Sequence, residues 1–180
     1  MKNNNGSVNN QSRNPFKIAE WGLRWLLFGS GPLTCGAGQV GGAACSKFSK
    51  KGRPDLQFNV MPLSVDKPGE PLHNYPGFTA SVWQCHPESR GSLKIKSTDP
   101  KEQAEIRPEY LSTKLDQNVI VDGIKMIRSI FNQPSFRDLW EKEMLPGDSV
   151  KSDEEILHWA KHNGGCLLYT SPSPRYLAQS

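Results

Sequence analysis

Four histidines, four cysteines and one glycine-rich hexapeptide are the groups in this 180-residue chain whose types suit catalysis or cofactor binding. Cys35, Cys45, Cys85 and Cys166 form no CxxC pair and keep no ligand-like spacing from the histidines, so neither a zinc site nor a disulfide framework is indicated. His73, His86, His158 and His162 fall in turn-rich or helix-surface contexts and are assigned no chemistry. Gly36 to Gly41, GAGQVG, has the letters of a dinucleotide fingerprint, whose glycines let a phosphate approach a helix N-terminus. A working fingerprint follows a strand and opens a helix, whereas this one follows a helix-like run and enters a Gly/Ala/Ser/Lys segment without an acidic ribose partner. Asn59, in the strand-like LQFNVMPL, donates and accepts hydrogen bonds but does not titrate, so it can orient a hydroxyl without acting as a base. The competing reading is an ordinary strand Asn bonded to a neighbouring loop. Trp83 and Trp159 are expected to pack, although an aromatic face also suits a quaternary ammonium.

The elements that must position these groups are legible in outline. Residues 1–14 are rich in Asn, Ser and Gly, and a loose lead-in is expected there that orders only when something packs on it. Asn14 followed by Pro15 is a cap and first-turn pair, and Ile18, Trp21, Trp25 and Phe28 recur near one face before Gly29, which predicts a first helix. The following GSGPLTCGAGQVGG is too glycine-rich for a regular element and reads as a loop. Strands are expected over 56–63, 77–86 and 92–97. Leu93 and Ile95 alternate with Lys94 and Lys96, the pattern of a half-buried strand, and 87–91 reads as the tight connection of a hairpin joining it to the strand before. Ile120, Ile124, Ile127 and Phe131 then take up helical spacing until Pro134, and Ser135 with Asp138 restarts a short helix through Trp140 and Met144. Ser152 with Glu155 is a capping box for a last helix burying Ile156, Trp159 and Ala160. Strands followed by helices predict an α+β fold, an antiparallel sheet with helices packed on one face.

Composition narrows the partners. At 36% hydrophobic and 22% charged the chain is ordinary for one globular domain. Its net charge of +4 is spread except for a cluster at Lys47 to Arg53, which reads as a solvated loop, so nucleic acid is not an expected partner. The most apolar window, 21–28, is too short to span a bilayer and contains Arg24, and the polar start is no secretory signal. No integral membrane segment and a reducing, cytoplasmic setting are expected.

PESRG and GSLKIKSTDP at 87–100, IRPEYLS at 106–112, GLRWLLF at 22–28, GPLT at 31–34, PDLQF at 54–58 and VDGIKMIRSI at 121–130 occur in one order over roughly residues 14–165. Together they resemble the C-terminal substrate-domain segment of the glucose-methanol-choline (GMC) flavoprotein oxidoreductases, particularly the choline-dehydrogenase-like branch. The resemblance implies an incomplete substrate domain of a two-domain flavoenzyme over 15–165. It also implies that the complete parent uses FAD to oxidise the CH–OH group of an alcohol such as choline, with a histidine taking the hydroxyl proton. Many relatives carry a histidine at the position of Asn59. The glycine loop is then an access or lining segment with Gln39 as its polar contact, and Asn59, Gln39 and Trp83 are the candidate substrate-lining residues.

The family's catalytic histidine lies in an HPxGT-like segment soon after the helix that here is SDEEILHWAKHNGG, but this chain continues CLLYTSPSPRYLAQS. No catalytic residue is therefore assigned, no FAD is expected to bind this segment alone, and the missing flavin domain is its natural packing partner. Residues 166–175, CLLYTSPSPR, resemble a translated sequencing-library adapter, the alternative being an ordinary disordered Ser/Pro tail, and residues 166–180 are expected to lie outside the family. The alternative is a self-contained, non-catalytic α+β binding or interaction domain. A fragment should expose apolar surface meant for absent partners, near 56–63 and 78–97, whereas a self-contained domain should be closed and polar.

Overall fold

Local signals settle the helices. The computed structural model describes residues 7–50, 52–66 and 70–165. After a single helical turn, α1 (Val8–Gln11), helix α2 spans Pro15–Phe28. The Asn14 side chain accepts from the Phe16 amide at 3.0 Å, Pro15 occupies the first turn, and Gly29 ends the helix in the left-handed region at φ 55°. Helix α3 (Lys114–Phe131) begins earlier than its apolar spacing suggests because Thr113 caps it, accepting from the Asp116 amide. The restart at Pro134 yields only the short α4 (Pro134–Arg137). The chain from 138 to 151 is irregular, held by Arg128, which donates to both carboxylate oxygens of Glu143 and to the Val150 carbonyl. Helix α5 (Asp153–Asn163) has the expected box: Ser152 accepts from the Glu155 amide while Glu155 accepts from the Ser152 amide.

Strands β1 (Val40–Ala44), β2 (Leu56–Met61) and β3 (Thr79–Gln84) form an antiparallel sheet in the order β1-β2-β3. The expectation of an irregular loop after α2 is corrected at its end, because VGGAA pairs along β2 as an edge strand. Glycines carry little strand propensity, and it is the cross-strand ladder that supplies the order. Pairing sets Asn59 opposite Gly41 on one side and Ser81 on the other. Successive side chains alternate in direction, so Leu56, Phe58, Val60 and Val82 point to one face and Gln57, Asn59, Ser81 and Trp83 to the other.

Helix α3 covers the first of these faces. Gly123 makes the approach possible, since a methyl group there would lie 2.9 Å from Val82 Cγ2 and 3.0 Å from Leu56 Cδ2. Behind it, Val121 and Ile124 pack against Ile156 and Ala160 of α5, with Trp159 and Val150 at the margin. Leu56 and Ile156 are completely buried, each worth about 2–3 kcal/mol of apolar transfer. The α+β architecture, with helices stacked on one face of an antiparallel sheet, is as expected.

The hairpin expected between 77–86 and 92–97 does not form. β4 (Ser92–Lys94) pairs instead with β5 (Glu105–Arg107) in a separate two-stranded ribbon, with Leu93 and Ile95 exposed at 65% and 83% rather than half-buried. The reason is the connection: Gln84, Glu88 and Ser89 are all captured by Asp116 of α3, which carries the chain away from β3. Gly91 lets it pass, since a methyl group there would lie 2.2 Å from the Arg107 carbonyl oxygen.

The lead-in also departs from a loose segment over residues 7–14. Ser7 and Asn9 are buried, and Asn9 donates to the Ser64 carbonyl and hydroxyl while accepting from the Ser64 amide. Ser7 donates to the Gly77 carbonyl and accepts from its amide. The packing partner is thus the β2–β3 loop of the same chain. Residues 166–180, including Cys166 and the adapter-like stretch, lie outside the described residues.

Candidate functional site

The face of the sheet opposite α3 is where the sequence-derived candidates meet. Asn59 and Trp83 both point to it, with Ser81 beside Asn59 and Gln57 beside Trp83 in register. Asn59, Ser81 and Trp83 are half-buried, and Gln57 is exposed. No hydrogen bond joins the Asn59 carboxamide to another described residue. The glycine segment comes over this face. Gly38 abuts the Asn59 side chain, and the Gln39 amide donates to the Val60 carbonyl at 3.2 Å while the residue itself is exposed. A half-buried carboxamide, a hydroxyl and an indole facing the same way can bind and orient a small polar molecule; none of them can serve as a base at neutral pH.

GAGQVG leads into β1, not into a helix, so its amides form no anion-binding helix start. The fingerprint letters alone thus make no helix-start phosphate cradle among the described residues. The described residues contain no group of three or more His, Cys, Asp or Glu side chains placed to hold a metal ion. Trp159 packs on the α3–α5 core and is not available as a cage wall. The Lys47 to Arg53 loop is tied to the fold by Lys47 with Asp122 and Lys50 with Glu88. His158 and His162 sit together on α5 with ring centroids 4.3 Å apart.

Two polar arrays escaped sequence reasoning. In the first, His73 lies between Ser64 Oγ at 3.1 Å and Asp66 Oδ1 at 3.0 Å and stacks on Tyr75. Its residue types are those of a nucleophilic triad, but Ser64 is buried, already accepts from Asn9, and lies so close under Gly77 that a methyl group there would meet its Oγ at 2.2 Å. No substrate carbonyl can reach that oxygen, and the array is a clasp on the β2–β3 loop. In the second, Asp116 is completely buried and accepts from Gln84 Nε2 at 2.8 Å, the Glu88 amide at 2.9 Å, the Ser89 amide at 2.7 Å and the Ser89 hydroxyl. Burial pushes its carboxyl upward, but the donors from Ser89, Glu88 and Gln84 outweigh that and bring it down to about 2. Ser89 Oγ in turn accepts from the Ser112 and Thr113 amides. This node fixes the end of β3, and with it Trp83, against the start of α3. Asp116 and Ser89 are far apart in sequence, and no local signal joins them.

Residues 87–172 match the family model described as GMC oxidoreductase. Over 154 residues the chain is 34% identical to the oxygen-dependent choline dehydrogenases of Staphylococcus aureus strains JH9 and Newman, an alignment covering 86% of this chain and 27% of each relative. The matched segment, residues 87–172, belongs to the GMC oxidoreductase family. The two matches coincide on the PESRG-to-helix segment that Asp116 organises. Among solved structures, the fold of this chain is similar to part of a formate oxidase of Aspergillus oryzae RIB40, at TM-score 0.72 and 20% identity over 88% of this chain and 32% of that one. An FAD-dependent oxidoreductase from Chaetomium thermophilum follows at TM-score 0.66 and 18% identity, over 87% of this chain and 33% of that one. The chain spans about a quarter of the length of the curated GMC relatives it matches. The family match ends at residue 172, inside the 166–180 segment expected to lie outside it. GMC enzymes are FAD-dependent oxidoreductases, and no helix among the described residues is long and apolar enough to cross a membrane.

Proposed function

We propose that this chain is the substrate-domain part of an FAD-dependent GMC oxidoreductase that oxidises the CH–OH group of an alcohol such as choline, and that the face of its sheet opposite α3 lines the alcohol site. The observation that carries the reading is the half-buried carboxamide of Asn59 on that face, without a hydrogen-bond partner among the described residues, next to Ser81 and two residues along the ladder from Trp83. Asn59 binds and orients the substrate hydroxyl, Trp83 walls the site, and Gln39 stands at its entrance. The flavin supplies the hydride acceptor when bound by the rest of the enzyme. The group that takes the hydroxyl proton also belongs to the rest of the enzyme, so the segment alone is inactive.

Exposed apolar surface supports membership in a larger body. On α2, Phe16, Leu26 and Phe28 are 84%, 73% and 75% exposed, with Ile18, Leu23, Trp25 and Leu27 also open. The polar residues Lys17, Glu20 and Arg24 form one narrow stripe, so the helix is apolar around most of its circumference, as in helices enclosed by protein. Its main contact with another element among the described residues is to the turn Pro32–Thr34, and Trp21 is its one buried side chain. Leu93, Ile95 and Ile106 on the β4–β5 ribbon are open as well. The patch thus includes part of the 78–97 region where it was expected, but its largest part is α2. A self-contained binding domain would not leave this much apolar area to water, and the flavin domain is the partner we assign to it.

The test is Asn59→Ala in the complete flavoenzyme carrying this segment. KM for the alcohol is expected to rise about tenfold, the loss of a hydrogen bond of about 1.4 kcal/mol, with flavin content unchanged. An unchanged KM would remove Asn59 from the site.

A further inference from the structure

We propose that Gly38 is a positioning residue for Asn59: by having no side chain it lets the loop after the Pro32–Thr34 turn rest against the carboxamide and fix the direction in which it points. The inference rests on the reading above that Asn59 meets the substrate.

A methyl group at Gly38 would lie 2.2 Å from Asn59 Nδ2, 2.7 Å from Oδ1 and 2.9 Å from Cγ. All three atoms nearest to Gly38 thus belong to one carboxamide, and no backbone atom is among them. Gly38 also lies outside the left-handed region, so its conformation admits any L-residue, and the demand for glycine here is steric contact alone. The position is pinned from the next residue, since the Gln39 amide donates to the Val60 carbonyl and Val40 begins the ladder with β2. Neither loop nor strand is free to withdraw. Asn59, whose carboxamide is held by no hydrogen bond among the described residues, is the group that must yield. A side chain added at Gly38 re-aims the carboxamide through χ1 and χ2 and leaves the fold standing. Gly36, two residues earlier in the same loop, has open space where its side chain would be and supplies the control. The contact explains the glycine on physical grounds: the loop covers Asn59 closely enough to hold it, and any side chain would displace what it covers.

The experiment compares four variants of the complete flavoenzyme with choline as the probe alcohol. Asn59→Ala gives the reference rise in KM. Gly38→Ala is expected to reproduce that rise within about threefold, with flavin content and thermal midpoint near wild type. Gly36→Ala should be silent, and Gly38→Ala combined with Asn59→Ala should be no worse than Asn59→Ala alone, because both act on one group. If Gly38→Ala is silent while Asn59→Ala raises KM, the positioning role is overturned and the substrate-lining role of Asn59 stands. If Asn59→Ala is itself silent, the substrate-lining role fails and the positioning proposal falls with it. Should Gly38→Ala prevent folding of the enzyme, nuclear Overhauser contacts between Gly38 Hα and the Asn59 side-chain amide in the unmodified 180-residue chain decide. Their presence supports the interlock and their absence overturns it.

Discussion

Replacing Asp116 by Asn removes the charge on which the 84–89 segment is hung while keeping side-chain size. The wild-type carboxylate accepts from Gln84, from the Glu88 and Ser89 amides and from the Ser89 hydroxyl, and its carboxyl titrates at about 2 against an ordinary 3.8. At about 1.4 kcal/mol per pH unit, that difference corresponds to at most about 2.5 kcal/mol favouring the folded state with Asp116 ionised. The asparagine oxygen still accepts some of these hydrogen bonds, which reduces the expected value to about 1–2 kcal/mol. The sign follows from the direction. A carboxyl lowered on folding contributes fully above about pH 4, its unfolded value, and loses that contribution as pH falls through about 2. Urea unfolding of the 180-residue chain, read by tryptophan fluorescence, should therefore show Asp116→Asn less stable than wild type by about 1–2 kcal/mol at pH 7. The gap should narrow by pH 2.5. Hydrogen exchange at the Glu88 and Ser89 amides should accelerate in the same variant. A gap that stays constant from pH 7 to 2.5, or unaltered exchange at those amides, would refute the assignment of Asp116 as the anchor.

Gly91→Ala should disrupt the β4–β5 ribbon, since the new methyl meets the Arg107 carbonyl; a cost of about 1–3 kcal/mol and lost exchange protection at 92–94 and 105–107 are expected. Ile156→Ala, truncating a completely buried side chain between α5 and α3, should lower stability by about 2–5 kcal/mol in the same urea assay, and a change under 1 kcal/mol would contradict the packing described. The 180-residue chain should purify without flavin absorbance, as GAGQVG enters a strand and forms no phosphate cradle; stoichiometric yellow protein would contradict that reading.

What the sequence made legible is what depends on neighbours in the chain. Asn14 with Pro15 and Gly29 bounds α2, and Ser152 with Glu155 opens α5, because a cap is satisfied within one turn. Pairings between distant segments were not legible. VGGAA becomes a strand only because β2 offers its edge, and SLK pairs forward to EIR because Asp116, more than twenty residues beyond, holds the preceding loop. Ser7 and Asn9 carry no local signal, their partners lying 55 to 70 residues away. At the candidate site, period-two alternation within each strand sets Asn59 apart from Leu56 and Phe58, and Trp83 apart from Val82. That Asn59 and Trp83 share the face opposite α3 required the β2–β3 register, and the contact of Gly38 with Asn59 required the structure.

In the proposed function this chain helps to form an alcohol site in a GMC flavoenzyme. The most direct measurement mixes the complete flavoenzyme with choline, and in parallel with simple primary alcohols, in the absence of oxygen while flavin absorbance is followed. Bleaching of the oxidised flavin by at least one of these alcohols is the predicted result, slowed at subsaturating alcohol by Asn59→Ala. A flavin that none of them reduces would contradict the claim.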